Sequence, residues 1–369
     1  MAAAAARQRP ERARAKLSIQ YVLADTTLFG GTKVALHQAN LMAARGHRVT
    51  VLAPAAPPDW YPLQASYRRL PAVDAACLPA ADVTVATFWA TLAPAAAAAR
   101  ANGGEVVHYC QGFEASYDHN RDEHAAILDA YAQPLPAISV APHLAELLRR
   151  RFGRPARVVP QPLEDFWRPR KWPLRRRPRA VPRILVPSPF EIEWKGVPTA
   201  LAAVRLLRQQ GLGCQVVRVS QWPLSDAERE LLEPDEFHHH LRPVEVAALV
   251  RECDLALCPS REAEGFGLPA LEAMACGVPV IASDVSCYRD FAADAARLVA
   301  VDSAADFARA AAEVLDHPAL WRAMRRRGLR VAARFGERHA ARVGEDALYW
   351  VAEGRWRGEA SAATIAAAR

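Results

Sequence analysis

Residues 258–282 read CPSREAEGFGLPALEAMACGVPVIA. A short apolar run ends at Cys258 and another opens at Val278, and between them lie a loop with two glycines and a stretch suited to a helix. Strand, loop, helix and strand within so few residues make a βαβ unit, whose two strands run parallel and are covered on both faces. Gly265 and Gly267 let backbone approach a ligand closely, and Pro269 suits the first helical turn. The unpaired N–H groups near Gly267 and Leu268 then point outward, which is how a helix start attracts an anion. Two carboxylates flank that start. Glu264 precedes it, and Glu272 lies about one turn past Pro269, roughly 5 Å along the axis at 1.5 Å per residue.

The same alternation extends in both directions. Residues 17–24, 48–53, 82–87, 105–110, 137–140 and 157–160 read as strands separated by helical patterns. After a proline-rich interruption the pattern restarts at 183–187, 214–219, 254–258, 278–282 and 297–301. Two doubly wound α/β domains are predicted, at 17–165 and 183–336, joined by a basic, proline-rich linker at 166–182. Residues 318–353 are helical in pattern, and 337–369 form a C-terminal helix and tail expected to return to the first domain. Residues 1–16, MAAAAARQRPERARAK, place alanines before charges and lack a leucine-rich core, so they read as a disordered leader and not a secretory signal.

Composition narrows the function. The chain has 369 residues, 51% hydrophobic, enough for two cores, and no stretch approaches the roughly 18 apolar residues a spanning helix needs. Its net charge is +7, but residues 168–183 alone hold eight basic side chains and no acid, which leaves −1 for the remainder. A nucleic-acid surface is normally a basic stripe on a folded face with aromatics interleaved, whereas four prolines keep this segment from regular helix or strand, which argues against nucleic acid. It reads as a solvated linker, with peripheral attraction to anionic lipid as the alternative. Seven cysteines, without a C-x-x-C pair, point to a reducing, cytoplasmic compartment.

Glu264, Gly265, Phe266, Gly267, Leu268 and Glu272, preceded by Pro259 and Ser260 and followed by Gly277 and Pro279, resemble the E-x7-E motif of family 4 glycosyltransferases. The resemblance implies the GT-B fold, two Rossmann-like domains facing a cleft with C-terminal helices packing back on the N-terminal domain. It also implies a retaining, metal-independent transfer of a hexose or deoxyhexose from a nucleoside diphosphate sugar to a glycan, lipid-linked or small-molecule acceptor. No cofactor is then needed. By the same resemblance Glu272 binds the donor ribose, Glu264 contacts the transferred sugar, and the backbone of Phe266, Gly267 and Leu268 meets diphosphate and sugar. Lys195, followed by Gly196 and a helix, resembles the family's diphosphate-binding K-G pair.

Departures and alternatives frame this reading. The family's arginine after the strand ending near Pro187 is missing, with Ser188 in its place. Gly30 and Gly31 resemble the donor-facing glycine loop, although a turn needing positive φ explains them as well. In HYCQGFE, His108 and Gln111 are candidates to face the reacting sugar; strand alternation favours Gln111 at the loop and His108 as a packed residue. His238, His239 and His240 are consecutive and cannot all face one metal, and no D-x-D occurs. Two rivals remain: a catalytically silent scaffold, and an NAD-dependent oxidoreductase using the G-x-G-x-x-A of residues 265–270.

Overall fold

The computed structural model describes residues 14–170 and 177–359. Seven strands build the first sheet: β1 (Ser18–Val22), β2 (Arg48–Ala53), β3 (Ser66–Arg69), β4 (Val83–Ala86), β5 (Glu105–Cys110), β6 (Ala137–Ser139) and β7 (Ala156–Val158), in the order β3-β2-β1-β4-β5-β6-β7. The second contains β8 (Arg183–Pro187), β9 (Gln215–Ser220), β10 (Glu236–His239), β11 (Leu255–Cys258), β12 (Val280–Ser283) and β13 (Arg297–Val299), in the order β10-β9-β8-β11-β12-β13. Every ladder between these strands is parallel. Both orders reverse beside the first strand of their sheet, and that switch point is where doubly wound sheets bind ligands.

The central strands form for the expected reason. All residues of β4 (VTVA), β11 (LALC) and β12 (VIAS) are buried, with helices on both faces. Two strands escaped the sequence reading, β3 (SYRR) and β10 (EFHH). Both are edge strands, where one flank meets solvent and polar side chains are tolerated, so no apolar run marks them. The helical pattern of 318–353 is two helices, Pro318–Ala332 and Glu337–Ala352, interrupted by a short 3-10 turn.

The chain crosses between domains twice, and the crossings touch: Leu163 N–H donates to the Phe335 carbonyl at 2.9 Å. Helix Glu337–Ala352 then packs on helix Gly30–Ala44 of the first domain, where Gly344 lies against Gln38 and Glu345 accepts from Arg45 and His47. Residues 14–16, expected within a disordered leader, are tied down: Arg14 pairs with Asp346, and Lys16 donates to the Arg45 carbonyl. Residues 1–13 lie outside the described residues. So do 171–176 of the basic linker, but its end is also anchored, with Arg179 on Glu252 and Asp254 and Arg183 on Glu236. These two arginines are thus ion-paired and not merely solvated. No described helix is long and apolar enough to cross a membrane.

Candidate active site

A cavity of about 920 Å³ separates the two domains, and its walls come from the segments that follow the C-terminal ends of β1, β4, β5, β8, β9 and β11. Parallel strands deliver loops and helix starts to this one edge, so both domains aim theirs at the same space. Among the candidate residues, Gly30, Gly31, Gln111, Lys195, Glu264, Gly265, Phe266, Gly267, Leu268 and Glu272 all line it. His108 does not. It is fully buried, faces the Arg154 guanidinium at 3.3 Å, and has a basicity well below the usual imidazole range because of burial and that neighbouring cation.

Helix Leu268–Ala275 starts at the cavity. Gly267 caps it with φ of +85°, and a Cβ there would sit 2.3 Å from the Tyr288 ring, so both conformation and space require glycine. At Gly265 the constraint comes from the other domain: a Cβ would lie 1.9 Å from the Gln111 carbonyl oxygen. Gln111 in turn donates to the Gly31 carbonyl at 3.0 Å, so its amide braces the glycines after β1. Gly30 and Gly31 form no positive-φ turn. They begin helix Gly30–Ala44, and Gly30 permits the approach of Leu268, whose Cδ1 would be 3.3 Å from an added Cβ. Two helix starts, one from each domain, therefore meet at the cavity.

The carboxylates flanking the second helix start each hold a lysine. Lys195 Nζ donates to Glu264 Oε2 at 2.7 Å, and Ser260 Oγ donates to the same oxygen at 3.0 Å. The turn carrying Lys195 is pinned by Arg261, which bonds Glu193 and Asp302 through its side chain and Trp194 through its N–H. Glu272 accepts from Lys33 Nζ at 2.7 Å, across the domain boundary. Burial works to lower the basicity of Lys33, but Glu272 and Glu164, the latter 3.5 Å away, outweigh it and raise that basicity above the usual lysine range. Burial raises the Glu272 carboxyl above its usual range, and Lys33 offsets part of that shift.

Lys33 was not among the residues singled out from sequence. Its signal is a lysine just after two glycines, while its partner lies 239 positions away. Glu114 was also passed over, although it ends the HYCQGFE stretch. Its carboxylate accepts from the Tyr131 hydroxyl in a buried pocket at the cavity wall, and burial pushes its pKa up to about 7 against the pull of that hydrogen bond. Ser188, where a family arginine was sought, has φ of +85° and also lines the cavity. No cation comes from that position; among the described residues, Lys33 and Lys195 are the lysines at the cavity wall.

Aromatic side chains bridge the domains beside the cavity. Tyr117 stacks on Trp194 with ring centroids 4.3 Å apart and planes 11° from parallel, and His119 stacks on the same indole at 5.4 Å. Phe29 meets Trp222 edge to face at 6.5 Å. Among the described residues no group of three or more His, Cys, Asp or Glu side chains could hold a metal ion. His238 and His239 lie on β10 and bond to Glu236 and the Gln221 carbonyl, and His240 follows them. The seven cysteines are free thiols, and all but Cys77 are buried.

The glycines of 265–267 follow β11, the fourth strand of the second sheet, whereas a dinucleotide fingerprint normally follows the first strand of its sheet. Comparison with known proteins agrees with the glycosyltransferase resemblance. Residues 181–317 match the family model for Glycosyl transferases group 1. Glycogen synthase of Mycobacterium tuberculosis is 36% identical over 123 residues, 31% of this chain and 29% of that protein. The chain thus matches less than a third of that relative's length. Among solved structures, sucrose-phosphate synthase from Thermosynechococcus elongatus superposes with a TM-score of 0.72 at 18% identity, covering 90% of this chain and 98% of that one. Anabaena HepE in complex with UDP-glucose gives 0.75 at 13%, covering 90% and 99%. The chain has the GT-B fold.

Proposed function

We propose that the protein is a retaining glycosyltransferase that moves a hexose or deoxyhexose from a nucleoside diphosphate sugar to a glycan, lipid-linked or small-molecule acceptor. One observation carries this: the carboxylate-flanked helix start at Gly267, with Lys195 beside it, opens into the interdomain cavity and lies within the segment matching group 1 glycosyltransferases. HepE, a structural neighbour, is seen with UDP-glucose, which supports a uridine diphosphate sugar as the first donor to try.

In this reading the donor diphosphate lies against the N–H groups after Gly267 and against Lys195, Glu272 takes the ribose hydroxyls, and Glu264 holds the sugar while its bond to Lys195 fixes the ammonium. As the nucleoside diphosphate leaves, negative charge grows on its oxygens, and Lys195 with the helix start stabilises that charge more than it stabilises the bound donor. These groups take the part a metal would play, so no cofactor is assigned. Gln111, which lines the cavity and is braced on Gly31, meets the reacting sugar from the N-terminal domain in this reading. Free buried thiols support a cytoplasmic setting, and residues 168–183 support peripheral contact with a membrane.

Transfer by a panel of nucleoside diphosphate sugars, followed by mass detection of product or hydrolysed donor, tests the assignment. Lys195→Ala should lower kcat by about a hundredfold, the scale of losing one preorganised charge-stabilising group, with a smaller change in KM. An unchanged kcat would remove Lys195 from the mechanism, and no turnover of any donor would favour a scaffold.

A further inference from the structure

Helix Pro318–Ala332 and the turn after it, residues 318–336, contain six arginines and no acid. Removing these charges together with the eight of 168–183 leaves the rest of the chain at −7. The two stretches are about 150 residues apart in sequence but adjacent in space: an added Cβ at Gly277 would lie 2.9 Å from Arg325 Nε and 3.5 Å from Pro169 Cβ. The start of the basic segment, at Pro169, therefore lies beside the arginine helix at Arg325.

The helix presents that charge as a face. Trp321, Met324, Gly328, Val331 and Ala332 turn inward, and Gly328 lies against Met274 of helix Leu268–Ala275. Arg322, Arg326 and Arg330 recur every four residues on the exposed side, with Arg327 beside them. None of the described carboxylates pairs with Arg326, Arg327 or Arg330, although surface arginines elsewhere in the chain commonly find one. Next to the stripe a concavity of about 700 Å³ is lined by Arg297, Arg327, Arg330 and Arg334, by Leu320, Met324 and Val331, and by one acid, Asp294.

We propose that this arginine face docks the protein on a bilayer surface rich in anionic lipid headgroups. A row of guanidiniums on one exposed helix face matches a layer of headgroup phosphates, to which the cations are drawn. Nucleic acid fits less well, because the one aromatic ring of the helix, Trp321, is buried and gives no platform for bases. The inference rests on the membrane contact proposed above and moves its main anchor from 168–183 to the helix. Docking there would put the membrane behind helix Leu268–Ala275, since the two helices pack together, and so fix how the cleft faces the surface.

Co-flotation of the full chain with vesicles tests it, using phosphatidylcholine alone or in equal parts with phosphatidylglycerol. Binding should need the anionic lipid and vanish at about 1 M salt, where the screening length falls to about 3 Å. Each arginine held at such a surface is worth about fivefold in partition, so the Arg326→Glu, Arg327→Glu, Arg330→Glu triple variant should bind on the order of a hundredfold less. The melting temperature and nucleotide affinity of the triple variant in solution should match wild type, which separates lost docking from lost folding. If the wild type ignores anionic vesicles, the membrane contact falls and this inference with it, while the transferase reading stands. If the triple variant binds as well as wild type, or if the wild type prefers a DNA duplex to the vesicles at equal salt, the helix assignment is overturned.

Discussion

Glu114 is an acid whose environment works against its charge. It lies at the cavity wall with the Tyr131 hydroxyl and a polar backbone around it, yet burial dominates and its pKa stands at about 7 instead of 4.5. The folded protein therefore keeps a proton that the unfolded chain releases at lower pH. Stability should fall as pH rises from about 4.5 through about 7, since the native state binds more protons across that window. Glu114→Gln keeps the size and removes the charge, so its melting temperature should lose less than wild type between pH 5.5 and pH 8. Equal slopes in the two proteins would show that Glu114 ionises freely. Residues of this kind leave little trace in sequence, because a glutamate after a strand reads the same whether solvated or enclosed. His108 was legible for the opposite reason: the alternation of β5 alone turns it away from the loop that Gln111 begins.

At the scale of elements, helix Leu268–Ala275 is the one most fully written in its own residues, since Gly267 and Pro269 announce its start and Gly277 follows its end. The structure adds the reason Gly267 cannot vary. Gly267→Val would combine left-handed backbone with contact on the Tyr288 ring, costing about 3 kcal/mol or more, and would displace the helix start. Its melting temperature should drop by several degrees and its donor affinity should fall with it; a variant with wild-type stability would mean that the capping geometry is not needed. Central strands were legible because burial on both faces demands apolar runs, and β3 and β10 were not, because an edge strand carries no such demand. Of the two readings of Gly30 and Gly31, the positive-φ turn is the one the structure excludes, since both open a helix and Gly30 allows the close approach of Leu268.

Across the whole molecule, what sequence could not supply is which groups meet over the cleft. Lys33 with Glu272, Tyr117 with Trp194 and Gly265 with Gln111 join residues far apart in the chain, and no local periodicity encodes such pairs. They also bear on what the molecule does. Glu272 is held by a lysine of the opposite domain, so a hydroxyl group reaching that carboxylate would compete with a contact between the domains. The central claim remains that the carboxylate-flanked helix start grips a nucleoside diphosphate. Calorimetric titration of uridine, guanosine and thymidine diphosphates into wild type and Glu272→Ala tests it directly: one of them should bind wild type and bind the variant at least about tenfold more weakly, a loss near 1.4 kcal/mol. Equal affinity in the two proteins, or no binding of any diphosphate to wild type, would contradict it.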